Sequence, residues 1–252
     1  MAFNKNVYFH LFVLVAFIAT FYYTANRFRR GGKFSIRPLD AIPKMEEAVG
    51  RATEMGRPVH FSYGMGAFDA QYFAAFTLLE YAAGLCAKYD TRLIISIYLP
   101  EVVPMTEEVV RKAYTDAGKI ESYRPDDIRF WGGSHNPAMI GLISREQVAA
   151  NFMIGSLFHE SILGIEAAAR NNAIQVMGTA NTHQLPFIAA GCDAIFIGAE
   201  MFAAAAHLQP NPVRVGSVFA EDWLTRLMVL LMAIGAVLAT FGNTSLSALL
   251  KR

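Results

Sequence analysis

Thr179, Asn181, Thr182 and His183 offer two hydroxyls, an amide and an imidazole just before a short predicted helix. Free backbone N–H groups at a helix start attract anions, so this loop is a candidate ligand site. Asn181 or Thr182 would equally serve as an ordinary N-cap, and both readings stay open. Gly64-Met65-Gly66, with Asp69 nearby, is a second candidate. A backbone without Cβ atoms can approach a phosphate, which makes Gly64 and Gly66 candidate cofactor-binding residues. The third glycine of a dinucleotide fingerprint is missing, however, and there is no P-loop sequence, so a tight turn is the competing reading. Gly133-Ser134-His135-Asn136 is a third loop, with a plain turn as its simpler explanation.

The six histidines do not form a metal motif. His60 falls within a predicted strand, His135 in a turn, His159 beside Glu160 on a helix, His183 in the first loop and His207 at a helix end. A metal site needs about three convergent ligands, and adjacent helical residues such as His159 and Glu160 do not share a face. Gly155-Ser156 lacks the G-x-S-x-G surround of a nucleophile elbow. Glu200, just after Gly198-Ala199, is open either as a base at a strand end or as a first-turn helix acid. No catalytic residue, metal ligand or resident cofactor is therefore assigned, and the balance leans away from an enzyme.

The elements that must position these loops follow from periodicity. Residues 173–198 contain two short apolar runs flanking one short helical segment, a unit that forces parallel strands. Open parallel sheets place ligands in the loops at the carboxyl ends of their strands. Upstream, the pattern predicts a helix ending at Gly56, a strand over 59–63, a helix over 70–89 and a strand over 93–98. A helix capped by Thr106, a strand over 128–131, a helix to about Val148, a strand over 151–154 and a helix over 158–171 follow. About six strands alternating with helices predict an α/β fold, Rossmann-like and doubly wound, with a mostly parallel sheet covered on both faces. This domain is expected over 37–215.

The chain is 252 residues long, 54% hydrophobic and only 17% charged, which is too apolar for an ordinary soluble domain. Residues 7–25 carry no Asp, Glu, Lys or Arg and approach the ~20 residues a helix needs to cross a bilayer. A transmembrane helix is thus expected within 1–26. Phe21, Tyr22 and Tyr23 suit an interfacial belt, and Arg27, Arg29, Arg30 and Lys33 form a cytoplasmic-type basic cluster, against only Lys5 on the other side. His10 is read as an interfacial or helix-packing residue. A second span is expected within 223–250, anchored by Trp223 and Arg226, with Gly235 and Ala239 as a possible close-packing face. Both termini then lie outside and the α/β domain on the cytoplasmic side, although Lys251 and Arg252 argue mildly against that topology. Net charge of +1, with no basic stripe, gives no reason to expect nucleic acid. Cys86 and Cys192 sit in apolar segments and are expected as reduced core thiols.

The blocks EEAVGRATEMGRPVHF, KYDTRLI, AANFMIG, AIQVMGTANTHQLPF and GCDAIFIGAEMFAAAAHL, in this order and spacing, resemble a family of bacterial and archaeal membrane proteins known only as a domain of unknown function. The resemblance runs from Glu46 to Leu208 and over the final apolar segment. It implies a membrane-tethered cytosolic α/β module in a prokaryotic inner membrane, and transfers no catalytic role. The expected function is a non-catalytic scaffold or accessory subunit that self-associates or docks into a larger membrane complex, with lipid as a partner. The other open reading is an enzyme or sensor binding a small anion or nucleotide at the loop 179–183.

Overall fold

In chain order the elements are α1 (Lys5–Arg29), α2 (Ala41–Glu54), β1 (Val59–Gly64), α3 (Ala70–Tyr89), β2 (Leu93–Ile97), α4 (Val103–Asp116), β3 (Ile128–Phe130), α5 (His135–Arg145), β4 (Ala150–Ser156), α6 (Glu160–Ala169), β5 (Ile174–Thr179), α7 (Leu185–Gly191), β6 (Ala194–Ile197), α8 (Glu200–Leu208) and α9 (Pro212–Thr240). The computed structural model describes residues 5–32, 37 and 39–240. Two units divide the chain: Arg37–Gln209, and Met1–Ile36 with Pro210–Arg252.

The Arg37–Gln209 unit holds one six-stranded sheet of order β3-β2-β1-β4-β5-β6, every pair parallel. Chain direction along the sheet reverses between β1 and β4, the position at which doubly wound folds open a crevice. Side chains alternate along each strand, and this sorts the core into two layers. Phe61, Tyr63, Ile95, Ile97, Phe152 and Val176 pack with residues of α2, α3, α4 and α8. Ile94, Met153 and Met177 pack instead with Met139, Leu142, Ile143 and Ala168 of α5 and α6, and with Ile188 of α7. Strands β1, β2, β4 and β5 are buried throughout, as strands covered on both faces must be.

Local signals account for most element ends. Asp69 caps α3, its Oδ1 accepting from Gln71 N at 2.8 Å, and Asp90 closes it in the left-handed region at φ 55°. Thr106 does not cap α4. Pro100 and Pro104 start the turn earlier, and Thr106 lies buried in the first turn, where Oγ1 donates to Val102 O at 2.8 Å and meets Tyr63 OH at 3.0 Å. At the amino edge of the sheet, Arg92 grips buried Asp127 through two bonds, of 2.6 and 2.8 Å, and Glu146 through a third at 2.8 Å. This ties short edge strand β3 to the end of α5.

In the other unit, α1 and α9 pack side by side. Thr24 Oγ1 donates to Gly216 O at 3.2 Å, and a Cβ on Gly216 would come within 3.1 Å of the Ala25 methyl. The last helix starts at Pro212, so residues 212–215, read from sequence as the end of the domain, belong to it. Among the described residues, no helix is long and apolar enough to cross a membrane. The flanking transmembrane helices expected from sequence therefore find no support here. In α9, Arg214, Glu221, Asp222 and Arg226 occupy the first half, and the described residues end at Thr240. The side chains of Lys5, residues 7–10 and Ala239, together with Lys33, Pro38 and residues 241–252, lie outside the described residues.

Candidate functional site

Three strand-end loops converge at the β1/β4 reversal. Gly64 adopts φ +87°, a conformation that disfavours side chains. A Cβ there would also lie 2.6 Å from Ser156 O and 2.9 Å from Glu160 Oε1. A Cβ on Gly66 would overlap the Ser156 side chain. The two glycines thus let the loop after β1 lie against the loop after β4, backbone to backbone, and Gly66 N donates to Ser156 O at 2.9 Å. The residue closing this contact is Glu160, fully buried in the first turn of α6. Its Oε1 accepts from Met65 N at 3.0 Å and from Phe158 N at 2.9 Å. A protein carboxylate therefore occupies the Met65 N–H that a phosphate at this loop would use.

The loop 179–183 is held from the opposite side. Thr179 is buried, and its Oγ1 donates to Gln71 Oε1 at 3.1 Å while accepting from Leu157 N and Asn181 N. Ala180 N donates to the same Gln71 oxygen at 2.7 Å. Asn181 Nδ2 donates to Leu157 O at 2.8 Å. Neither Asn181 nor Thr182 caps α7 through its side chain; Gln184 occupies that position, and α7 is only 7 residues long. Thr182 and His183 are exposed, with the His183 ring 5.5 Å from Phe158. The structure thus brings Gly64, Gly66, Thr179 and Asn181 to one edge, cross-linked by Gln71, and leaves Thr182 and His183 at its rim.

A second polar group runs across the sheet beneath α5 and α6. His60 Nδ1 lies 2.7 Å from Asn151 Oδ1, and its Nε2 lies 2.7 Å from Ser96 Oγ. Asn151 Nδ2 continues to Gln175 Oε1 at 3.4 Å. Ser96, His60 and Asn151 have the connectivity of a nucleophile, base and orienting group. All three are nonetheless fully buried within strands, so no substrate atom reaches Ser96. Burial also pushes His60 down to about 4, against the raising effect of the Asn151 bond, which keeps the ring neutral. The chain is a structural ladder that satisfies polar groups between two apolar layers.

His135, the first residue of α5, is also buried, and burial lowers it to about 4. Its ring centroid stands 6.0 Å from that of Tyr98 and 6.3 Å from that of Trp131. Asn136 Nδ2 lies 3.3 Å from His159 Nε2, joining the start of α5 to the loop before α6. His207 is exposed in the last turn of α8. Glu200 sits in the first turn of α8 and accepts from Ile197 N at 3.0 Å. Burial raises both thiols, Cys192 to about 12, so neither is poised as a nucleophile. No group of three metal-ligating side chains occurs among the described residues. At the opposite, amino edge a cavity of about 270 Å³ is lined by Arg92, Tyr114, Tyr123 and Asp127, but Arg92 is already committed to its carboxylates.

Sequence reasoning passed over Gln71 and weighed Glu160 only beside His159, yet these two side chains knit the edge together. A glutamine in an apolar helix and an acid in a first helical turn are ordinary in sequence, and only the folded contact sets them apart. The pattern of one family, described as a domain of unknown function (DUF6754), matches residues 1–250. The chain belongs to this family. No curated protein and no solved structure shows detectable similarity to it. Membership in DUF6754 thus carries no assigned chemistry, and the roles of residues rest on the geometry above.

Proposed function

We propose that this protein is a membrane-attached, non-catalytic scaffold or accessory subunit that self-associates or docks into a larger membrane complex of a prokaryotic cell. The observation that carries the reading is the apolar surface of the α1–α9 pair. Leu11, Leu14, Val15 and Ile18 of α1, and Val229, Leu230, Met232 and Val237 of α9, are all exposed. Contiguous apolar surface of this kind marks contact with lipid or with another chain. A hollow of about 510 Å³ in this unit, lined by Thr20, Tyr23, Phe219, Trp223 and Arg226, combines the aromatic and basic residues suited to a lipid headgroup boundary. The charge-free runs over 7–25 and 227–241 of the sequence motivate a two-span attachment, which no described helix by itself supports, and the arginines at 27, 29 and 30 favour a cytoplasmic α/β domain with both termini outside. The sealed Ser96-His60-Asn151 ladder and the loop at 179–181, whose polar groups bond within the fold, favour a structural role over catalysis.

The test is expression of the full chain, membrane fractionation, and mass measurement after gentle detergent extraction. The expected result is retention in carbonate-washed membranes and a particle of two or more chains, or a complex with a partner. A clean monomer, or release by carbonate, would overturn the reading. The alternative of an anion or nucleotide at Thr179, Asn181, Thr182 and His183 draws less support, because Gln71, Leu157 and Glu160 already engage the groups an anion would need.

A further inference from the structure

The cavity of about 270 Å³ at the amino edge of the sheet has an apolar depth and a charged rim. Buried Cys86, Ile95 and Val110 line the depth, and exposed Asp90, Glu121 and Arg124 line the rim. Tyr114 and Tyr123 form an aromatic wall, their ring centroids 6.0 Å apart. Tyr114 is the decisive side chain. It is only 5% exposed, yet its hydroxyl has no hydrogen-bond partner among the described residues and is left to the cavity that it lines. A buried tyrosine hydroxyl ordinarily finds a partner. Burial, and after it Cys86, Asp127 and Asp90 nearby, raises its pKa, so the hydroxyl keeps its proton.

We infer that this cavity binds a free α-amino acid with an apolar side chain, its carboxylate at Arg124, its ammonium at Glu121 and Asp90, and its side chain against the tyrosine rings and the apolar depth. The charges select the class. Arg92 and Asp127 neutralise one another at 2.6 Å. That leaves three lining charges without an ion pair among the described residues, the cation Arg124 and the carboxylates Asp90 and Glu121. Asp90 Oδ1 accepts from Ser122 Oγ at 3.1 Å, which ties the segment carrying Glu121 and Arg124 to the end of α3 and holds all three charges around one opening. A phosphate or a simple carboxylate meets Arg124 but is opposed by Asp90 and Glu121, and a simple amine meets the carboxylates but is opposed by Arg124. A zwitterion satisfies both signs. The Tyr114 hydroxyl donates to its carboxylate or accepts from its ammonium. The volume lies just below the ~300 Å³ at which ligand pockets begin, which suits a single amino acid and excludes a nucleotide. The site lies wholly within the Arg37–Gln209 unit and does not depend on membrane attachment.

The experiment measures thermal unfolding and calorimetric binding of the detergent-solubilised full chain with leucine, phenylalanine, phenylpropanoate, phenylethylamine and inorganic phosphate as probes. A ligand that binds only the native state raises the unfolding midpoint. The expected result is a rise with leucine or phenylalanine, and binding at least tenfold weaker for the probes that carry only one sign of charge. Tyr114→Phe removes a hydroxyl that the fold does not use, so it should leave the unliganded midpoint unchanged and weaken amino-acid binding severalfold. Arg124→Ala, at an exposed position, should weaken binding at least tenfold, with Arg124→Lys restoring part of it. No response to either amino acid would overturn the inference. Equal binding of phenylpropanoate or phenylethylamine would overturn it by showing a site for a single charge. Undiminished binding by Arg124→Ala or Tyr114→Phe would overturn it by placing the amino acid elsewhere.

Discussion

His60 and His135 are buried imidazoles that the fold keeps uncharged, and this makes stability depend on pH. Burial lowers both to about 4, whereas an unfolded chain protonates them near the ordinary value of 6.5. Between those values the unfolded state binds more protons than the native one, so stability falls as pH drops from about 6.5 towards 4 and is level above about 7. The contribution of His60 alone is ~3 kcal/mol at the acid end. Urea midpoints of the detergent-solubilised chain at pH 8, 6.5 and 5 should show a small loss over the first interval and a clear loss over the second. A flat profile would show that neither ring is held neutral. Gly66 is as exacting for a steric reason. Gly66→Ala places a methyl on the Ser156 side chain and should destabilise by about 2 kcal/mol, seen as a lower thermal midpoint; an unchanged midpoint would mean that the two loops are not in contact.

Among the elements, β3 is the weakest strand, only three residues long and at the sheet edge. Its place depends on the Arg92 clamp, since Asp127 immediately precedes it and is nearly inaccessible. Arg92→Ala leaves that carboxylate only its longer Arg129 contact at 3.5 Å, and should cost about 2 kcal/mol, with Arg92→Lys recovering only part because the paired geometry is lost. Hydrogen exchange over 125–131 should accelerate in Arg92→Ala before the rest of the sheet responds; uniform acceleration would place the clamp's effect elsewhere. Helix α6 shows how one element serves two purposes. Its small face, with Gly164 near Met153, packs on the sheet, while its first turn delivers Glu160 to Met65 N in the loop after β1.

For the whole molecule, the apolar α1–α9 pair sets the expected behaviour. If lipid covers that surface, replacing exposed Leu14, Ile18, Leu230 and Val237 together by serine should shift the chain from the membrane fraction to the supernatant while the α/β unit stays folded, as judged by its thermal transition. Continued membrane retention would place the attachment elsewhere.

Apolar runs and helical periods were enough to anticipate α3 over 70–89 and the strand-helix-strand unit within 173–198, and with them a parallel α/β sheet, because burial on both faces writes itself into composition. Loop residues were legible as positions: Gly64, Gly66, Thr179 and Asn181 do meet at one carboxyl edge. Their partners were not. Whether Glu160 faces water or closes on Met65 N depends on which strands flank β1. Local sequence carries no record of that, since strand order arises from packing between segments about 90 residues apart, such as His60 and Asn151. The parallel fold, then, was determined by the sequence through local periodicity. The reversal between β1 and β4, the buried ladder and the closure of Glu160 on Met65 and Phe158 were decided only by tertiary contact.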